Sequence, residues 1–533
     1  MNKRRTLSAM VVVFLLAGMM ARFSCAQGAP AKKSTKKAET KEALAEKNLA
    51  AARQNPLQLR HFLLGFPKGA DLHYHLSGGI YAETFIKDAA EDGLCLNVKE
   101  AAFTACPAGM MNEEDCPEKW RKDEIVPAKA ALCRQGLYDA LVDSFSMRGF
   151  VPYGSLTAHD HFFDSFAKFS GIDSKHHAEW VGEAARRAAA QNEQYMELMQ
   201  TPDYQPAADI AKVVPWNDDF ARMREGFLAH GLAKNVASAV EGFRDTEKKR
   251  REMEHCKRPE AATEACNVDV RFIWQVLRGK AKEIVFAQAL LAFESAQAAP
   301  ETIVGINFVM PEDGYISRRD YALHMKMVKY LHEVYPQVHI ALHAGEITYG
   351  QVPPADLCCH IRLAVEAGAE RIGHGVDVLY ENHPHELLRE MAGKHVMVEI
   401  NLSSNHLILG VSGKDHPLPL YRQFGVPVAL STDDEGVSRI DLTNEYVRAV
   451  ETYGLSYADL KKMVRTGMEH AFLPGESLWA QRDSFSKSAN SCARDTLGAE
   501  KMSKGCEEFL QANEKASAQW KLEQRLLKFE AGL

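Results

Sequence analysis

Val338-His-Ile-Ala-Leu-His343-Ala-Gly-Glu346, a helical pattern over 354–368, then Arg371-Ile-Gly-His374-Gly375: this stretch reads as one strand–helix–strand unit. Both apolar runs are short, as strands covered on both faces are, and the positions between them repeat apolar residues at helical spacing. Each run ends on residues that can do chemistry. The same alternation extends in both directions. Short apolar runs at 70–76, 194–199, 269–277, 302–309, 338–343, 371–374, 395–401 and 426–432 are separated by helical patterns such as 177–192, 280–298, 318–334 and 383–393. Strands alternating with helices imply a parallel sheet with right-handed crossovers, and eight such units imply a closed (β/α)8 TIM barrel. An open doubly wound sheet would carry a Gly-rich loop after its first strand, and this chain has none.

Two stretches break the repeat. Residues 90–135 follow the first strand and hold four cysteines, and 203–268 form a long polar helical segment before the third strand. Both are expected as insertions on a barrel domain spanning 41–475, close to its substrate mouth. A charged helical extension, 476–533, is expected to pack outside it. Upstream, a helical pattern over 41–64 runs into Phe66-Pro67-Lys68-Gly69, and 27–40 reads as a solvated linker.

The first 26 residues have the organisation of a signal peptide: Lys3-Arg4-Arg5, an apolar run from Leu7 to Met20, and Ser24-Cys25-Ala26 before Gln27. The apolar run is short for a membrane span, so export (periplasmic or secreted) with no stable span after cleavage is expected. An oxidising compartment makes Cys256/Cys266 and Cys492/Cys506 read as local disulfides, as do members of the cluster Cys95, Cys106, Cys116 and Cys133. Adjacent Cys358 and Cys359 read as buried free thiols. The chain has 533 residues and a net charge of −7, with acids and bases well mixed. No basic stripe suggests nucleic acid, so the expected partner is a small molecule.

His73 and His75 alternate around Tyr74, so their imidazoles share one face of the first strand. Because Leu72, Tyr74 and Leu76 take the other face, the histidine face points into the barrel. Two histidines on one face make half of a zinc site, and His343 and Asp433 would complete it. Glu346 follows His343 by three residues and is free to donate and accept protons; removal from bulk water would raise its pKa towards the working range. His374, between glycines, suits orienting an attacking water and taking or stabilising its proton. Asp434 beside Asp433 exceeds what a helix cap requires. His159-Asp160-His161 also has alternating histidines, but it lies at a helix start near Thr157, where both rings do not share a face. His406 reads as a mouth residue.

Taken together, Pro67-Lys-Gly-Ala-Asp-Leu-His73-Tyr-His75-Leu, His343-Ala-Gly-Glu346, Arg371-Ile-Gly-His374-Gly and Ser431-Thr-Asp433-Asp434 resemble the adenosine deaminases of the amidohydrolase superfamily, from about Phe66 to about Pro474. The resemblance implies one Zn2+ per chain on His73, His75, His343 and Asp433. It implies that Glu346 protonates purine N1, that His374 handles the attacking water, and that Asp434 makes a hydrogen bond at N7. Gly305 would present its N–H to N3. Water adds to C6, ammonia leaves, and adenosine or deoxyadenosine becomes inosine or deoxyinosine. Most family members carry an acidic residue where this chain has Ser77, at the expected contact to the ribose 5′-hydroxyl. Deamination of adenine, a modified adenosine or a nucleotide is therefore the alternative, with Arg148 and Lys168 as possible phosphate partners. A deaminase-like binding protein is the reading of a different class, against which stands the full set of chemical groups. The signal segment and cysteine-bearing insertion resemble the secreted branch of the family, in which the insertion serves dimerisation or receptor contact, so a homodimer is possible.

Overall fold

Eight parallel strands run β1 (Gly69–His75), β2 (Glu193–Gln200), β3 (Asp269–Leu277), β4 (Ile303–Val309), β5 (His339–Ala344), β6 (Arg371–His374), β7 (Met397–Ile400) and β8 (Val428–Leu430), hydrogen-bonded in that order. The structure, a computed structural model, describes residues 40–110, 121–122 and 124–533. The expected signal segment, and all of the linker but Thr40, lie outside the described residues. The seam between β8 and β1 is closed by the backbone of the chemistry-bearing residues themselves. Asp433 N–H donates to His73 O over 2.8 Å, and His75 N–H donates to Asp433 O over 3.2 Å. The (β/α)8 expectation is met, and every strand lies on the run chosen for it to within a few residues.

Inside the barrel a small apolar plug of Met199, Ile273, Val304, Ala341 and Phe472 fills the N-terminal end. Above it Arg371, fully buried, pairs with Glu197 at 2.6 Å and Glu399 at 2.7 Å while its guanidinium lies 3.9 Å over the Phe472 ring. A buried ion-pair network of this kind adds little net stability, but losing one partner strands a charge in the core. Its role here is to hold Glu399 upright beneath the site.

Four helices flank this barrel on the side of the two inserted stretches: α1 (Ala82–Glu91), α2 (Ala158–Lys168), α3 (His177–Ala190) and α4 (Leu232–Met253). Between α1 and α2 the first insertion forms a three-stranded antiparallel sheet of Cys95–Asn97, Ala102–Thr104 and Ile125–Pro127. Cys95–Cys106, Cys256–Cys266 and Cys492–Cys506 are disulfides, as expected, and Cys133 is disulfide-bonded; Cys116 lies outside the described residues. Cys358 and Cys359 correct the reading as buried free thiols. They are half-buried and joined to each other, because they sit in a surface loop rather than on the apolar face of the helix that begins at His360. The C-terminal helices Lys504–Ala512 and Glu514–Ala531 lie outside the barrel, the second tied to Arg465 through both oxygens of Glu523.

Candidate active site

The four expected ligands come together at the C-terminal mouth. One donor atom each from His73, His75, His343 and Asp433 lies within 4.8 Å of the others, and all four residues are buried. His75 Nε2 is 3.2 Å from both His343 Nε2 and Asp433 Oδ1, and His73 Nε2 is 3.7 Å from that same oxygen. Asp433 and His374 have positive φ, 66° and 67°. Such backbone strain is held at functional sites, and here it aims both side chains inward. Gly373 makes room for the cluster: a Cβ there would lie 2.6 Å from His73 Cε1.

The other ring nitrogens explain why three Nε2 atoms converge. His73 Nδ1 lies 2.6 Å from Glu399 Oε2, and His343 Nδ1 lies 2.8 Å from Asn307 Oδ1. Both oxygens are acceptors, so both rings carry their proton on Nδ1 and offer a bare Nε2. His75 Nδ1 lies 2.6 Å from the Gln275 amide, whose other end lies 2.8 Å from Thr201 Oγ1. Placing the Gln275 oxygen on His75 gives that ring the same tautomer and leaves the amide nitrogen to donate to Thr201. The Thr201 hydroxyl proton is then free to point into the cavity. The set fits a divalent cation: three imidazoles locked in the ligating tautomer, one carboxylate, and a buried His73 Nε2 with no hydrogen-bond partner.

His374 is set by a separate chain whose polarity begins at a backbone amide. Leu418 N–H donates to His416 Nδ1 (3.1 Å), so His416 carries its proton on Nε2 and donates to Asn405 Oδ1 (3.0 Å). The Asn405 amide nitrogen therefore donates to His374 Nδ1 (2.9 Å), and neutral His374 holds its proton on Nε2. That N–H faces Glu346 Oε1 at 3.5 Å and Asp433 Oδ2 at 3.8 Å. Burial pushes the His374 pKa down to about 3, so the ring stays neutral. Of the two roles expected for His374, this favours orienting and stabilising an oxygen over taking its proton.

Glu346 is carried by the loop after β5. Glu312 accepts the Gly345 and Glu346 N–H groups at 3.0 and 2.9 Å and is held ionised: burial opposes this, but His360 and Arg278 keep its carboxyl at about 2. Burial, then Asp433 and Glu312, raise Glu346 well above the usual carboxylate range, which suits a proton donor at neutral pH. Asp434 is likewise raised by burial and by Asp433, and its Oδ1 has no hydrogen-bond partner. A Cβ on Gly78 would overlap the Asp434 carboxylate, so glycine is required there.

The cluster opens onto a cavity of about 400 Å3. Ser77, Thr201, Gln275, Glu346 and Asp434 supply polar groups, while Phe162, Phe163 and Phe166 of α2, with Leu277, Met310 and Ile408, supply apolar walls. Among the described residues, neither the 90–135 stretch nor the 203–268 stretch contributes a lining residue. For the second stretch this corrects the expectation of a place at the mouth: its α4 packs on α3 and on the helix Lys282–Ala298, outside the barrel. The wall is α2, whose phenylalanines the sequence analysis did not single out.

Gly305 is a second correction. It pairs with His339 at the start of β5, whereas His343 is four residues, about 13 Å, farther along. A Cβ on Gly305 would press against the Phe472 ring at 3.0 Å, in the plug at the closed end of the barrel. At the open end of β4 the lining residues are Val309, Met310 and Pro311, and Met310 has φ 91°. The His159–His161 pair is no metal site. Thr157 caps α2 by accepting from Asp160 N–H, His159 bonds Asp313, and His161 stacks on Phe150. His406 is exposed and lines no part of the cavity.

A (β/α)8 barrel with a three-histidine, one-aspartate cluster at its C-terminal mouth, a buried Glu and a fixed His beside it, defines a hydrolase of the amidohydrolase type. Residues 157–486 match the family model described as adenosine deaminase, and the chain belongs to that family. Among curated relatives, adenosine deaminase of Clostridium perfringens (strain 13 / Type A) is 34% identical over 139 residues, 26% of this chain and 39% of its own length. That of Shewanella loihica is 38% identical over 109 residues, 20% and 32%. The matched stretches thus span well under half of these relatives. Solved structures include an adenine deaminase from Arthrobacter aurescens, with TM-score 0.49, 16% identity, and coverage of 76% of this chain and 94% of that one. The N6-methyl-AMP deaminase from Arabidopsis thaliana gives 0.48, 18%, 80% and 96%.

Proposed function

We propose that this protein deaminates adenosine and 2′-deoxyadenosine, using one zinc ion held by His73, His75, His343 and Asp433. The observation that carries the reading is Glu346 Oε1 3.5 Å from His374 Nε2 beside the four-ligand cluster, with Glu346 and Asp434 lining the same cavity. A divalent cation there, when bound, supplies a water acidified towards neutrality. Glu346 gives its proton to N1, which makes C6 electrophilic. His374 Nε2–H steadies the oxygen that adds to C6. Asp434, kept protonated by burial, can pair with N7. Of the two protons of the added water, one leaves with ammonia and the other restores Glu346.

The cavity favours a nucleoside over a nucleotide. Among the described residues lining it there is no Lys or Arg. Arg148 is engaged by Asp139 and Asp143, and Lys168 does not line the cavity. A 5′-phosphate would enter an apolar wall without a counter-charge, at a cost that burial of an unpaired charge makes large. Ser77 favours a second reading, free adenine, because the acidic contact to the 5′-hydroxyl is missing. Export of the mature chain is also proposed, supported by the signal-type N-terminus and the disulfides.

The test is loss of purine absorbance on adding adenosine, adenine and AMP to purified protein. Adenosine turned over with the highest kcat/KM supports the reading. Preference for adenine moves it to the second, and no turnover of any 6-aminopurine by metal-loaded protein ends both.

A further inference from the structure

Outside the mouth, α1 and the N-terminal end of α3 bring another set of ligand-type groups together. One donor atom each from Asp88, His176 and Glu179 lies within 4.8 Å of the others. His176 Nδ1 is 3.2 Å from Glu179 Oε2 and 3.8 Å from Asp88 Oδ1. Similar separations, 3.2 and 3.7 Å, divide the Asp433 oxygen from the ligating nitrogens of His75 and His73 in the active-site cluster. Asp88 and His176 are 0% and 2% exposed. We propose that Asp88, His176 and Glu179 bind a second divalent cation, of the zinc or manganese class that accepts mixed imidazole and carboxylate ligands.

Two observations favour a cation over a protonated His176 among carboxylates. The first is the far side of the ring. His176 Nε2 lies 3.0 Å from Asp92 Oδ1, itself held by Lys175 and by the Asp173 N–H. That carboxylate fixes the Nε2–H tautomer and frees Nδ1, as Glu399 does for His73 with the nitrogens exchanged. The second is Asp88. Its Oδ2 accepts from Trp180 Nε1 at 2.7 Å, but its Oδ1 points at His176 with no hydrogen-bond partner. A proton on Nδ1 serves Glu179, the nearer group, and leaves Asp88 Oδ1 buried and unpaired. A cation between the three serves all of them and balances two carboxylates. Glu179, 41% exposed, leaves a side open for a water as fourth ligand.

The ion would act structurally. Its ligands Asp88 and His176 stand on either side of the segment that carries the disulfide-bearing sheet and α2, the aromatic wall of the cavity. A cross-link there limits the movement of that wall relative to the barrel.

The experiment is metal content by mass spectrometry on full-length protein saturated with zinc and desalted, with crystals measured on both sides of the zinc edge. Wild type is expected to hold two ions per chain, with an anomalous peak at His176. His176→Gln and Glu179→Gln should each hold one and keep deaminase turnover with saturating substrate. His343→Ala should lose the mouth ion and keep the one at His176. The half-exposed Glu179→Gln keeps the test valid if His176→Gln does not fold. One ion in wild type with no peak at His176, or two ions retained in both His176→Gln and Glu179→Gln, overturns the proposal.

Discussion

Glu399 holds His73: its Oε2 lies 2.6 Å from the ring Nδ1, and its other oxygen pairs with Arg371 at 2.7 Å. Burial works against ionising Glu399, but Arg371 first and then His73 outweigh it and keep its carboxyl below the usual range. The carboxylate therefore fixes the tautomer and raises the basicity of a metal ligand it never shares a metal with. Replacing Glu399 by Gln should weaken metal binding by about 10- to 100-fold. Competition against a zinc-sensitive dye measures this directly, and unchanged affinity would contradict the role.

Gln275 should act on both sides at once. Gln275→Leu removes the partner of His75 Nδ1 and frees Thr201, so metal affinity should fall by about tenfold or more. Thr201→Val should leave metal affinity unchanged and raise KM for adenosine. A Thr201→Val variant with weakened metal and unchanged KM would reverse the assignment.

The polarity of the Leu418–His416–Asn405–His374 chain predicts an outcome for Asn405→Asp. A carboxylate there can only accept, so the His374 proton moves to Nδ1 and Nε2 no longer donates to the cavity. A fall in kcat of about 10²-fold is expected, by analogy with removing one donor to a developing oxyanion. Nitrogen-15 shifts of the His374 ring report the tautomer independently of turnover.

Glu346→Gln should retain the metal and lose turnover by about 10²- to 10⁴-fold, the range for a positioned proton donor. A variant with near-normal kcat would remove Glu346 from the mechanism.

His324 gives a pH dependence away from the site. It is fully buried, both ring nitrogens lack partners, and burial lowers its pKa to about 4. The unfolded ring titrates near its ordinary 6.5, so between pH 6.5 and 4 the unfolded chain binds more protons. Stability should fall as pH drops through that window, by about 3 kcal/mol from this group. Urea melts at pH 7 and pH 5 should show a smaller loss for His324→Leu than for wild type; equal losses would discount His324.

The barrel and the reacting set are legible in the order of residues along the chain. Eight strands could be read because each is a short apolar run, and His73, His75, His343, Glu346, His374, Asp433 and Asp434 because each lies at or just beyond a strand's C-terminal end. The residues that aim them emerge only once the barrel is closed. Glu399, Asn307 and Gln275 lie on strands facing the barrel interior, where sequence shows a polar residue but not which ring it meets across the barrel. Gly305 misled because a glycine in a strand does not declare which end of the barrel its N–H faces; pairing with His339 puts it at the closed end. The phenylalanines of α2 could not be singled out, because an apolar helix stripe looks the same whether it covers a strand or a cavity. Cys358 and Cys359 needed the loop's exposure to be placed. Local periodicity fixes what a residue is beside along the chain, and only the closure of the barrel fixes what it faces.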